Sequence, residues 1–517
     1  MIRQITLLAV LVSLTACGGD GARDGGFDPG GGGNGGSDWQ EGVFLDWIGF
    51  YQQCATTLDQ NNFLRSYSND TYLWYDEIVD RDPSLYNDPL VYFDLLRTAQ
   101  LTPSGQPKDK FHFTYDTEEW ERLSQSGVTY GYGAQWALFQ DTQAQTRELI
   151  VAYTEPNSPA TNLALPLERG ARILEVDGVS IDDFTQAGVD VLNAGLFPAS
   201  VGEQHVFTVQ DLGAAGTRSV TMVSADVVAA PVQNTRVIST PTGEVGYLSF
   251  NDHIATAEQA LIDAVNTLNA HNNNAGIDDL VLDLRYNGGG FLAIASQLAY
   301  MIAGPVPTAG EVFDEMTFND KHPVTNPVTG EALAPTPFYD TTLGPPFNAP
   351  PGQALPTLSL PRVFVLTGAG TCSASEAIIN GLRGVGVEVI QVGSTTCGKP
   401  YGFYPTDNCG TTYFTVQFRG SNALGFGEYS DGFSPANTQG VPGVSVPGCS
   451  VADDFEAQLG DETEARLAAA LNYRDTQACP APSGLSVGEP EAMVLDVDAM
   501  EPLVPKSPWH TNRIYRQ

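Results

Sequence analysis

The chain has 517 residues with 61 acidic and 24 basic side chains, a formal net charge of −37. That balance argues against nucleic acid or an anionic membrane surface as a partner, because phosphate binding needs clustered Lys and Arg. The length fits about three domains of roughly 150 residues, and 42% hydrophobic residues can fill cores of that size. Lysine is scarce, confined to Lys108, Lys110, Lys321, Lys399 and Lys506, so each one is informative.

Arg3 precedes an apolar run from Ile5 to Leu14, too short to span a bilayer and the right length for an export signal. It ends in Leu14-Thr15-Ala16-Cys17, which resembles the bacterial lipoprotein box. Residues 1–16 are therefore expected to be a signal peptide and Cys17 the lipidated residue. From Gly18 to Ser37 there are eleven glycines, so residues 17–38 read as a flexible tether. The expected location is the cell envelope, with the lipid anchor as the only membrane attachment. Gly18 and Gly19 carry no aspartate-type retention signal, which favours the outer membrane, facing the periplasm or the surface. Six further cysteines (Cys54, Cys372, Cys397, Cys409, Cys449 and Cys479) suit disulfides in an exported chain. No CxxC or HExxH spacing occurs and the histidines are scattered, so nothing argues for a metal.

The expected fold class is multidomain α+β. Residues 39–125 are rich in Trp, Tyr, Phe and Leu, with helix-like spacing over Val43–Ile48, and predict a helical N-terminal domain. Residues 126–228 hold short β-rich runs at 148–153, 172–176, 205–209 and 219–223, divided by Gly, Asn and Asp turns. Residues 229–480 alternate strand and helix signals, which predicts a parallel α/β domain. The runs are Leu280 to Leu284, a helix from Leu292 to Met301, Val363 to Leu366, a helix starting near Ser373, and Val387 to Val392. Residues 305–361 interrupt it with twelve prolines and no period, as a covering loop or insertion would. The tail, 481–517, has little pattern.

Gly393 to Lys399 fits the phosphate-loop spacing, but Pro400 stands where Ser or Thr should hold Mg²⁺, and no helix can follow. Thr371-Cys372-Ser373-Ala374-Ser375-Glu376 places a hydroxyl at an expected helix N-terminus, where backbone N–H groups favour developing negative charge. A capping box of Ser373 with Glu376 explains the same residues, and Ser375 competes as the nucleophile.

Ser373-Ala374-Ser375-Glu376 followed by Gly398-Lys399 resembles the C-terminal processing (tail-specific) peptidases, serine endopeptidases with a Ser–Lys dyad. Asp283-Leu284-Arg285-Tyr286-Asn287-Gly288-Gly289-Gly290 resembles that family's DLRxNxGG loop. Tyr132-Gly133-Ala134 and Arg169 to Gly178 resemble its PDZ domain, and Phe63-Leu64-Arg65 with Tyr72 to Tyr75 an N-terminal segment of one branch. The resemblance implies a crotonase-like α/β catalytic domain with Ser373 as nucleophile and Lys399 as general base. It implies oxyanion amides at Gly289 and Ala374, and peptide capture at Tyr132, Gly133 and Ala134. Proteins or peptides are the expected substrates, and no cofactor is required. Two departures stand out: the Ser373-to-Lys399 spacing is one residue longer than usual, and Phe403 replaces a glutamine that some members use. The bare residues also permit a non-catalytic peptide- or ligand-binding lipoprotein, or a glycan hydrolase with paired carboxylates. If Ser373 and Lys399 meet, Cys372 and Cys397 come close enough to pair.

Overall fold

The computed structural model describes residues 39–141, 144–438, 440 and 443–480. Cys17, the signal peptide, the tether and the tail lie outside the described residues. No helix among those described is long and apolar enough to cross a membrane.

The N-terminal segment is built on α1 (Thr57–Thr71), capped by Thr56, whose side chain accepts from the Asp59 amide. This helix is polar in composition, yet Phe63, Leu64 and Tyr67 are buried against Tyr92 and Phe93. Two of its buried polar members have partners: Asn61 donates to the Pro83 and Tyr86 carbonyls, and Arg65 pairs with Asp80 at 2.6 Å. The helix expected at Val43–Ile48 does not form. A single 3-10 turn, Trp47–Gly49, stands there instead, and Val43, Leu45 and Ile48 are exposed. The Arg65 guanidinium donates to the Gln40 and Val43 carbonyls here, tying this irregular stretch to α1. Strand β1 (Phe113–Asp116) then leaves this segment to pair with Thr411–Phe414 near the far end of the chain.

A small β-rich domain follows: β2 (Val128–Gly131), β3 (Ala134–Asp141), β4 (Thr146–Thr154), β5 (Arg172–Val176), β6 (Val179–Ser180), helix α2 (Gln186–Leu196), β7 (Gln204–Gln210), β8 (Arg218–Val223) and β9 (Ala225–Val228). Strands β3, β4, β5, β7 and β8 form one sheet in that order, β6 pairs with β5, and β2 pairs separately with β9. All four β-rich runs read from the sequence lie within these strands. In β8 only Val220 and Met222 are buried, the period-two pattern of a half-buried strand. They join Trp136, Val151, Ile173 and Phe207 in a core of their own.

The C-terminal domain contains β10 (Val232–Thr240), β11 (Gly243–Phe250), α3 (Ala257–Asn269), β12 (Asp279–Asp283), α4 (Leu292–Ala303), β13 (Val312–Thr317), β14 (Thr336–Pro337), β15 (Arg362–Thr367), α5 (Ala374–Gly384), β16 (Glu388–Gly393), β17 (Tyr401–Gly402), β18 (Thr406–Asn408), β19 (Thr411–Phe414), β20 (Phe418–Ser421), β21 (Gly448–Ser450) and α6 (Ala465–Thr476). Its main sheet runs β10, β11, β12, β15, β16, β21, antiparallel at the first pair and parallel thereafter. Helices α3, α4 and α5 cover one face through Leu261, Leu298 and Ile378, and α6 covers the other through Leu467 and Ala470. Strands buried on both faces read as unbroken apolar runs, which is why β12 and β15 were legible. The proline-rich segment is more than a loop: it supplies β13 and β14 to a second sheet in the order β14, β13, β20, β17.

Three disulfides, Cys54–Cys409, Cys372–Cys397 and Cys449–Cys479, use all six remaining cysteines, the second as expected. A buried ion network fixes the loop after β12. Arg285 donates to Asp283, Asp453 and Glu464, while Arg169 of the small domain reaches Asp453 at 2.7 Å and the Tyr286 hydroxyl at 2.6 Å.

Candidate active site

The parallel strands β12 and β15 both end in loops on the side where α5 begins. Between them lies a cavity of about 440 Å³ lined by Ser373, Ala374, Lys399, Gly290, His253 and a ring of aromatic side chains. Ser373 is the N-cap of α5 and holds φ 57°, ψ −115°, outside the ordinary basins of an L-residue. A non-glycine residue there costs on the order of 1–3 kcal/mol and persists only where its surroundings over-determine it. The sharp turn sets the hydroxyl at the cavity wall, next to the open N-terminus of α5. Ser375 is fully buried and donates its hydroxyl to the Asn287 carbonyl at 3.0 Å, so the two serines are no longer equivalent.

Glu376 is the hinge of the arrangement. Its Oε2 accepts from the Ser373 amide at 3.0 Å and from the Lys399 amide at 2.8 Å, so those two nitrogens lie no farther apart than the two bonds laid end to end. Its Oε1 accepts from the Gly398 amide at 2.9 Å and the Thr396 hydroxyl at 2.5 Å. Burial pushes this carboxyl above the usual range, and the four donors partly offset that. The Cys372–Cys397 bridge joins the same two loops, with Cα atoms 5.2 Å apart. Cys372, Glu376 and Cys397 also lie close enough to suggest a metal set, but both sulfurs are spent in the disulfide.

Lys399 is 4% exposed. Its Nζ lies 4.1 Å from the centre of the Phe403 ring and 5.2 Å from that of Phe111. Desolvation lowers the amine from the usual lysine range to about 7, although Asp109 and Glu376 pull the other way. Phe403, at the position where a glutamine was looked for, is thus part of the apolar box around the amine. Asp109 and Phe111 come from the N-terminal segment, and sequence reasoning did not find them. No motif surrounds them, and long-range contacts bring that segment here: the pairing of β1 with β19, the Cys54–Cys409 bridge and the packing of Trp74 on Tyr401.

The glycine loop lies against the turn. A Cβ on Gly289 would stand 2.8 Å from the Ser373 Cβ and 3.0 Å from the Ala374 amide nitrogen, so only glycine fits there. The Gly289 amide donates to Asn287 Oδ1 at 3.0 Å, whereas Gly290 is the loop glycine that lines the cavity. His253, also unforeseen, bonds Asn287 Oδ1 through Nδ1 at 2.9 Å and holds the loop through its backbone. The residues expected to capture peptides lie elsewhere, in the small domain. Tyr132 is buried with its hydroxyl donating to the Gly195 carbonyl, Gly133 packs on Ser158, and Ala134 opens β3, the outer strand of its sheet among the described residues.

Residues 244–402, which include the DLRxNxGG loop, Ser373 and Lys399, match the family model described as Peptidase family S41. No curated protein matches the chain. Among solved structures, an S41 protease from Bacteroides fragilis NCTC 9343 is 22% identical, with a TM-score of 0.58 over 80% of this chain and 97% of its own. The photosystem II D1 C-terminal processing protease is 18% identical, with a TM-score of 0.41 over 74% and 92%. The first of these likenesses is one of fold.

Proposed function

We propose, from the premise that residues 244–402 are the core of a family S41 peptidase, that this protein is a serine endopeptidase working through Ser373 and Lys399. Neutral Lys399 Nζ takes the Ser373 proton as Oγ attacks the peptide carbonyl, forming the C–O bond and moving the carbonyl electron pair onto oxygen. The Ala374 amide at the start of α5, with an amide of the Gly289-Gly290 turn, receives that charge. Collapse breaks the C–N bond, and the ammonium returns its proton to the leaving amine. Water then repeats the sequence on the acyl-enzyme.

One observation carries this reading. The amine that shares a cavity with Ser373 is held near pH 7 by burial, so a useful fraction is neutral at physiological pH. The β3 edge beside Tyr132, Gly133 and Ala134 suits addition of a substrate tail as an extra strand, the PDZ-like role. Lipidation at Cys17 in an outer-membrane envelope setting completes the proposal.

The deciding experiment follows cleavage of an unfolded protein by mass spectrometry with wild type, Ser373→Ala, Ser375→Ala and Lys399→Arg. Arginine keeps the charge but cannot give up its proton in the useful range. Ser373→Ala and Lys399→Arg are expected to be inactive and Ser375→Ala to retain turnover. Substantial activity in either of the first two would sink the mechanism.

A further inference from the structure

The cavity holds an acidic group that the mechanism above does not use. Asp314 in β13 lines it and is 5% exposed. Among the described residues its carboxylate accepts no hydrogen bond and meets no cation; Glu315, the next residue on the strand, is the charged group beside it. Lys399 answers electrostatically to Asp109 and Glu376. Across the ladder from Met316 stands Gly420, and a Cβ there would lie 2.2 Å from Asp314 Oδ1, so the glycine leaves the room that the carboxylate occupies. The same cavity is lined by the apolar and aromatic side chains of Phe291, Met316, Phe418 and Tyr429. Burial raises this carboxyl to about 7, the signature of an acid with nothing to compensate it.

A buried carboxylate without a partner is costly, and a protein keeps one mainly where a ligand supplies the partner. We propose that Asp314 makes this cavity selective for a lysine or arginine side chain flanking the scissile bond, its apolar stem against the rings and its cationic head on the carboxylate. The aromatic walls suit such a chain, since a cation is attracted to ring faces as well as to the acid. A net charge of −37 draws basic segments toward the protein in the first place. The proposal rests on the serine-peptidase reading for the position of the scissile bond.

The test uses peptides identical except for lysine, arginine, norleucine or citrulline beside the cleaved bond, at pH 8, where the carboxylate is ionised. Wild type is expected to favour lysine over norleucine by about tenfold or more in kcat/KM, the range that a buried charge partner commands. Asp314→Asn should erase most of that ratio while leaving norleucine turnover within about threefold, which also reports that the variant is folded. An unchanged ratio in Asp314→Asn, or equal rates for lysine and norleucine in wild type, overturns the assignment. Calorimetric binding of the same peptides to Ser373→Ala, with and without Asp314→Asn, separates the two readings. Should no peptide be cleaved while Asp314→Asn still abolishes the lysine preference in binding, the site stands and the peptidase reading falls. Loss of both the cleavage and the binding preference removes the site as well.

Discussion

Lys399 stores an energetic cost in the native state. Its folded pKa of about 7 lies below the lysine reference of 10.5, so between those values the unfolded chain binds the extra proton and stability rises with pH. Lys399→Met removes the ionisable group but keeps a similar apolar stem. We predict that it stabilises the fold by about 1–4 kcal/mol below pH 8, with the gain shrinking towards pH 10, as pairs of denaturant titrations would show. Equal stability at pH 7 would mean that the amine is better solvated than its burial implies. The wild-type rate should climb through pH 7 and level off above it, because the neutral amine is the working form. Glu376 acts through the four donors that its carboxylate gathers. Glu376→Gln turns an amide N–H₂ towards two donors, so it should destabilise the protein by roughly 3 kcal/mol and lower kcat about a hundredfold. A variant with wild-type kcat would show that the clamp on the Ser373 and Lys399 amides is dispensable.

At the scale of elements, the site depends on two loops meeting: the turn into α5 and the run from β16 to β17. The Cys372–Cys397 bridge ties them. Replacing both cysteines by serine should cost roughly 2–4 kcal/mol of stability. We expect kcat to fall about tenfold with circular dichroism unchanged, since Glu376 still holds the loops but less tightly; full activity would assign the bridge to stability alone. These loops were readable because the strands before them are buried on both faces and their turns are glycine-rich. The aromatic wall was not. Strand β13 has Phe313 and Asp314 buried side by side, so it shows no period of two and hides among prolines. The α1 helix was obscured for a related reason: its buried face includes Asn61, Arg65 and Ser68, and the partners of the first two lie in loops outside the helix.

Across the whole molecule, the three parts of the chain are not beads on a string. The N-terminal segment gives β1 to a sheet with β18 and β19 and places Phe111 near the Lys399 amine. The small domain sends Arg169 into the ion network that holds the loop before the glycines. Composition divides the chain by local pattern, so it reported the domain order and missed this sharing, which depends on pairs of residues hundreds of positions apart.

The Cys54–Cys409 bridge gives the molecule a topological property. It closes a ring over a sequence separation of 355 residues, and that ring contains the small domain, the proline-rich segment and Ser373. A single backbone cut anywhere inside the ring therefore opens it without dividing the molecule. A nick at an exposed turn of segment 305–361, such as that around Val324, leaves the two fragments covalently joined and able to hold their packing. A preparation nicked there with added protease should run as one full-size band without reductant and as two after reduction. Two bands without reductant would show that the Cys54–Cys409 bridge is not formed.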